Sequence, residues 1–227
     1  MEETEGVKYV QINSVPHGST GGVMLRKHRE LLEEGIDSHV FWGRGREAID
    51  DRECKCGSEV GFYFDVVRTR LGGKAGFYTK AATRRLLAKL DEIDPDIVHL
   101  HNVHGYYVNI EMLFEWLARR NQKTYWTLHD CWAFTGHCAY FTYAKCMQWQ
   151  THCEAEKPCP QLGTYPKTLS KRSCAWNFDQ KRRLFRLVED LTIITPSQWL
   201  ADLVSQSFLS GYPVEVQHNA INSDIYK

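Results

Sequence analysis

The chain has 227 residues, 43% of them hydrophobic and 25% charged, with 28 basic and 28 acidic side chains that cancel. Those are ordinary globular values, so a real core can form, while the zero balance argues against a nucleic-acid partner, which calls for a basic excess. No apolar run approaches the roughly 18 residues that a membrane span needs, and the acidic start from Met1 to Gly6 does not read as a signal sequence. One large domain with an insertion suits the length, and a cytoplasmic location is expected.

Taken in chain order, Val7 to Ile12 reads as a strand, followed by a turn carrying Pro16, Gly18, Gly21 and Gly22. A helical pattern runs through Val23, Met24, His28, Leu31 and Leu32 and closes at Gly35. Ser38 to Trp42 is a second strand, and an irregular stretch with Cys54 and Cys56 follows. Val60 to Leu71 and Tyr78 to Ile93 are predicted helices. Asp96 to Leu100 is a short apolar run of the kind buried in a parallel sheet. A helix from Asn109 to Arg119 leads to a strand from Thr124 to Leu128.

From Cys131 to Pro166 the alternation stops, and five cysteines, aromatics and prolines mark an insertion. It resumes with a predicted helix over 168–188, a strand Leu191 to Thr195, a helix opening at Pro196-Ser197 and a strand Val214 to Gln217. Such alternation predicts an α/β fold: a Rossmann-like parallel sheet with helices on both faces.

Ligands of open parallel sheets bind beyond the carboxyl ends of the strands, and three candidate sites fall there. Ser19-Thr20-Gly21-Gly22 opens the first helix, where glycines let backbone N–H groups and the helix dipole meet a phosphate; a plain tight turn is the alternative. His99 and His101 share one face of their strand, and with Asn102 they offer donors and acceptors to sugar hydroxyls, a locally satisfied core histidine being the bland reading. His129-Asp130 ends the next strand; adjacent residues of an extended chain point apart, so the two are not expected to form a dyad. The three-glycine dinucleotide pattern and the P-loop lysine are both absent.

Cys138, Cys146, Cys153 and Cys159 have seven, six and five residues between them, inside a segment poor in regular structure. A tetrahedral structural zinc would stabilise it, with His137, His152 and Cys131 as spare ligands; free buried thiols and disulfides are the alternatives. Two basic stretches remain. Residues 68–89 hold seven Lys or Arg and no acid, and residues 167–186 hold seven with only Asp179 opposing. Either can be a solvated helix face or lie peripherally on anionic lipid at the inner face of the cell membrane.

Ser19-Thr20-Gly21-Gly22-Val23, Asp96-Ile97-Val98-His99-Leu100-His101, Thr127-Leu128-His129-Asp130, Ile194-Thr195-Pro196-Ser197 and His218-Asn219-Ala220-Ile221 together resemble the amino-terminal domain of the retaining, two-domain glycosyltransferases of family 4. The stretch from His129 to Phe141 is similar to a bacterial subgroup that assembles exopolysaccharide, capsule or lipopolysaccharide. The resemblance implies a nucleotide-diphosphate sugar donor, no catalytic metal or organic cofactor, and a glycan acceptor, expected on a lipid carrier.

By the same resemblance, Gly21 and Gly22 approach the donor diphosphate, His101 touches the transferred sugar as the catalytic histidine, and Asn102, His129, Asp130 and Ser197 line the acceptor side. It further implies that residues 1–227 are the acceptor-side half of the enzyme, inactive without a carboxy-terminal donor domain, and that the hinge departs from the usual Pro-Asn-Gly. A non-catalytic zinc-stabilised module at a membrane surface is the rival reading.

Overall fold

The computed structural model describes residues 6–154 and 156–219. Its strands are β1 (Lys8–Asn13), β2 (Asp37–Trp42), β3 (Glu53–Lys55), β4 (Ile97–Leu100), β5 (Lys123–Thr127), β6 (Leu191–Thr195) and β7 (Val214–Val216). All neighbouring strands pair in parallel, in the order β3-β2-β1-β4-β5-β6-β7. The order reverses between β1 and β4. Connections leave these two strands toward opposite faces, which opens a crevice above their carboxyl ends.

The helices are α1 (Gly18–Glu33), α2 (Glu59–Gly72), α3 (Lys80–Ile93), α4 (Ile110–Arg119), α5 (Ser173–Leu184) and α6 (Gln198–Ser205). Each amphipathic helix buries the face that its spacing predicts: Met24, His28 and Leu31 on α1, Leu86 and Leu90 on α3, and Leu113, Phe114, Trp116 and Leu117 on α4. The Rossmann-like sheet with helices is therefore the observed fold. Sequence reading misses β3, because three half-buried residues are too short a run to show a period. The predicted helix over 168–188 shrinks to α5, since residues 167–172 adopt no helix and Leu184 is followed by turns. The closing Ala220, Ile221 and Asn222 of the expected hinge lie outside the described residues.

The insertion carries only short 3₁₀ turns, Trp132–Phe134 and Gln148–Gln150, and packs its aromatics into the main core. Phe134 and Phe141 flank Trp149, with ring centres 5.1 and 4.9 Å apart. Its anchor is a residue of the second basic stretch, which corrects the reading of 167–186 as a uniformly solvated or lipid-facing surface. Lys181 is fully buried, and its ammonium donates to the carbonyls of Trp132 (2.8 Å) and Thr135 (3.1 Å) while sitting 3.3 Å from the Trp132 ring centre. Burial pulls its pKa down to about 7, with nearby thiols and Asp130 opposing.

Truncating Lys181 leaves two buried carbonyls without donors and a cavity, so Lys181→Ala is expected to cost about 3–5 kcal/mol, and Lys181→Met, which keeps most of the volume, about 1–3. Urea unfolding reads both values. A Met variant as stable as the parent would show that the carbonyls do not need the ammonium.

Candidate functional site

The crevice is tied together by Asn13, the wholly buried last residue of β1. Its Oδ1 accepts from the backbone N–H of Ser14 (2.8 Å) and of Asn102 (3.3 Å), and its Nδ2 donates to Val15 O (3.1 Å) and to the Thr20 hydroxyl (3.4 Å). Asn102 Nδ2 also donates to that hydroxyl, at 3.4 Å. One amide thus joins the end of β1, the opening of α1 and the end of β4. The glycine turn and the histidine strand meet at one edge.

Gly21 and Gly22 lie inside the first turns of α1 and differ in what surrounds them. A Cβ on Gly21 would stand 2.6 Å from backbone atoms of Val15 and Pro16, so only glycine lets the turn close against the helix. A Cβ on Gly22 would meet nothing within 4 Å. Packing gives no reason for glycine there. The α1 amino terminus has no side-chain cap and no acid in its first turn, which leaves its N–H groups and dipole for an anion.

His99, His101 and His129 form a stack. Ring centres of His99 and His101 are 4.4 Å apart, and those of His101 and His129 are 5.5 Å apart with nearly parallel planes. Gln11 donates through Nε2 to Met24 O (3.2 Å), so its Oε1 faces His101 Nε2 at 3.2 Å and must accept a proton from it. His101 Nδ1 is then an acceptor, receiving the Nε2–H of His129 at 3.3 Å. Both rings are neutral and their tautomers are fixed by the network. His99 is satisfied locally by two hydroxyls, Tyr9 (2.9 Å) and Thr127 (2.7 Å), as a core histidine would be.

Burial holds all three imidazoles below their ordinary range: His99 at about 3, His129 at about 4 against the opposing pull of Asp130, and His101 well below the usual value. His101 is only 1% exposed with both ring nitrogens engaged, so touching a substrate requires one of those bonds to be given up. His129 and Asn102 are half-buried at the rim. A cleft of about 510 Å³ runs beside the stack, between Val23 and Lys27 of α1 and the sheet residues Tyr9, His99, His101, Tyr125 and Thr127.

His129 and Asp130 do part, as expected. Asp130 turns to His104, whose Nε2 lies 3.1 Å from Oδ2, and accepts the Trp132 N–H at 2.8 Å. Burial works to raise the Asp130 carboxyl, but the His104 ring beside it and the Trp132 N–H together hold it below the usual carboxylate value. His104 Nδ1 meets the Tyr165 hydroxyl at 3.0 Å, giving an Asp130–His104–Tyr165 chain that spacing alone did not reveal. Ser197 stands at the same edge, but its hydroxyl caps α6 by accepting the Leu200 N–H at 3.3 Å, so it is occupied structurally.

The expected zinc is not shown. Cys138, Cys146, Cys153 and Cys159 do line one small cavity with His137, yet among the described residues no three His, Cys, Asp or Glu converge as a metal set. Cys153 accepts the Gly136 N–H (3.1 Å), Cys146 the Gln148 amide (3.7 Å), and Cys159 neighbours Cys174, outside the predicted quartet. Burial pushes the Cys138 and Cys153 thiols up to about 12. Packing around Lys181 anchors the insertion.

Residues 23–225 match the sequence profile of Glycosyltransferase Family 4. The chain belongs to that family. It is 28% identical over 217 residues to the putative colanic acid biosynthesis glycosyl transferase WcaC of Escherichia coli K12, covering 86% of this chain and 49% of that protein. A crystal structure of a ugt transferase from Siraitia grosvenorii in complex with UDP overlays with a TM-score of 0.45 and 15% identity, over 96% of this chain and 50% of that one. The chain spans about half the length of the curated relative it matches.

Within this family 4 chain the neutral stack sets a pH dependence. His99, His129 and His137, the last also held at about 4 by burial, have folded-state pKa values below the unfolded value of about 6.5, so unfolding takes up protons in between. Their contribution is complete above about pH 6.5 and lost toward pH 4, at about 1.4 kcal/mol per pH unit for each. Asp65, raised by burial, opposes as a single group. Urea midpoints from pH 7.5 to 4.5 should fall steeply, and less so for His129→Gln; a flat profile would mean that the imidazoles are not buried neutral.

Proposed function

We propose that this chain is the acceptor-side half of a retaining glycosyltransferase that moves a sugar from a nucleotide-diphosphate donor to a glycan in bacterial polysaccharide or lipopolysaccharide assembly. The observation that carries this reading is the meeting of the open amino terminus of α1, Asn102 and the His101–His129 pair at one crevice in a family 4 chain. The donor diphosphate lies against the α1 N–H groups, with Gly22 leaving room for its approach.

Neutral imidazoles suit hydroxyl recognition and not proton delivery. His129 and Asn102 hold substrate hydroxyls at the rim, and His101, oriented by Gln11, positions His129. Asp130, kept ionised by His104, is the acceptor-side base or hydroxyl anchor. The charge of the departing diphosphate needs further cations, which a carboxy-terminal domain would supply, so the chain alone is expected to be inactive.

Two substitutions test the reading. Gly22→Ala should raise helix stability by about 0.5–1 kcal/mol yet weaken nucleotide-diphosphate binding about tenfold or more, an opposition of signs that packing alone does not produce. In the full-length protein, His129→Ala should lower transfer of labelled sugar about 100-fold with little loss of stability. Unchanged affinity in the first and unchanged transfer in the second would sink it.

A specific feature supports the acceptor being lipid-borne. Val60, Tyr63, Phe64, Val67 and Leu71 recur at helical spacing on α2 and are all exposed, with Leu71 at 67%. Arg68, Arg70 and Lys74 flank them, as on a helix that lies in a lipid interface. Among the described residues no helix is long and apolar enough to cross a membrane. Val67→Ser with Leu71→Ser should abolish most flotation with phosphatidylglycerol vesicles while leaving the melting temperature unchanged. Retained flotation would exclude α2 as the contact.

A further inference from the structure

A second pocket, of about 420 Å³, opens where the segments after β2, β3 and β4 meet the starts of α2 and α3. Its floor is backbone. A Cβ on Gly43 would stand 2.1 Å from the Tyr107 Cβ, and one on Gly57 would stand 2.1 Å from Gly43 O. Five cations line it, Arg44, Arg68, Lys80, Arg84 and Arg85, against one carboxylate, Asp65.

That carboxylate is already spent internally. Asp65 is buried and accepts from the hydroxyls of Thr69 (3.4 Å) and Thr79. Among the described residues none of the five cations makes an ion pair. Arg85 donates to Cys56 O at 3.0 Å, and Arg44 lies over the Phe62 ring at 4.6 Å with its Nε buried and unpartnered. So many unpaired cations around one recess, with an orphaned guanidinium N–H in its wall, call for an anion.

The pocket is joined to the crevice by a run of rings. Phe62 meets Tyr106 (5.7 Å between centres), Tyr106 meets Tyr165 (5.8 Å), and Tyr165 meets His104, the partner of Asp130. Aromatic faces of this kind stack against sugar rings. The apolar stripe of α2 borders the same opening through Phe64.

We propose that this pocket binds the phosphate of the acceptor, a phosphate- or diphosphate-linked glycan whose anion sits among Arg44, Arg68, Lys80, Arg84 and Arg85. Its sugar follows the Phe62–Tyr106–Tyr165 wall to His129 and Asp130. The word acceptor rests on the glycosyltransferase reading above; the anion site rests on the pocket alone. Phosphate fits better than carboxylate because several guanidinium groups can share its three or more oxygens.

Inorganic pyrophosphate titrated calorimetrically into the protein is the first probe. The background is Gly22→Asp, whose carboxylate has open space at the start of α1 and repels anions from that second position. Arg68→Gln with Arg84→Gln, both exposed and outside the core, should weaken binding about tenfold or more, as expected for losing charge-assisted hydrogen bonds. Arg119→Gln with Lys123→Gln, exposed at the other end of the sheet, should change it less than about twofold.

Flotation with neutral phosphatidylcholine vesicles carrying a polyprenyl-diphosphate glycan then separates the sources. Arg-dependent flotation assigns the pocket to a lipid headgroup, and its absence alongside Arg-dependent pyrophosphate binding assigns it to a soluble phosphorylated glycan. Pyrophosphate affinity untouched by the Arg68 and Arg84 changes, or lowered equally by the remote pair, overturns the proposal. The titration needs neither donor nor transfer, so failure of the anion site and failure of the glycosyltransferase reading are distinguishable.

Discussion

Asn13 is the constraint on which the site depends. The strand order reverses beside β1, so the backbone ends of β1 and β4 and the first turn of α1 all arrive unpaired at one place, dry and crowded. Buried N–H and C=O groups must find partners, and the Asn13 amide supplies two acceptor and two donor contacts at once. Asn102 and Thr20 are thereby fixed against each other, and the helix terminus is aimed across the crevice. The position of Asn102 at the rim follows from that knot.

The histidine stack is ordered by the same logic. Gln11 is oriented by a carbonyl of α1, Gln11 orients His101, and His101 orients His129, so a chain of hydrogen bonds runs from the helix through the sheet to the rim. Desolvation keeps the rings uncharged, which suits the reading and selection of hydroxyl groups. Asp130 and His104 pair beside His129, next to the aromatic wall.

The insertion is anchored by packing around one buried cation. Lys181, a cation on α5, reaches back into a nest of two carbonyls and an indole face, and the aromatics of the insertion join the common core. A buried ammonium is tolerated because each donor direction is met and because its pKa falls toward neutrality. The segment after β5 is tied to Asp130, which accepts the Trp132 N–H.

The sequence by itself determined the α/β alternation, six of the seven strands, the six helices and the grouping of glycines and imidazoles at strand ends, because periods of two and 3.6 and apolar runs are local properties of a chain. It also carried the family resemblance and set His129 apart from Asp130, since neighbours on an extended backbone diverge. Only the tertiary structure decided which distant groups meet: Gln11 with His101, His104 with Asp130, Lys181 with Trp132, and five cations around one recess. It also decided that Ser197 caps a helix and that four cysteines share a cavity without converging. Those pairings depend on strand order and on where each loop turns, and such long-range geometry leaves no periodic trace in the residues themselves.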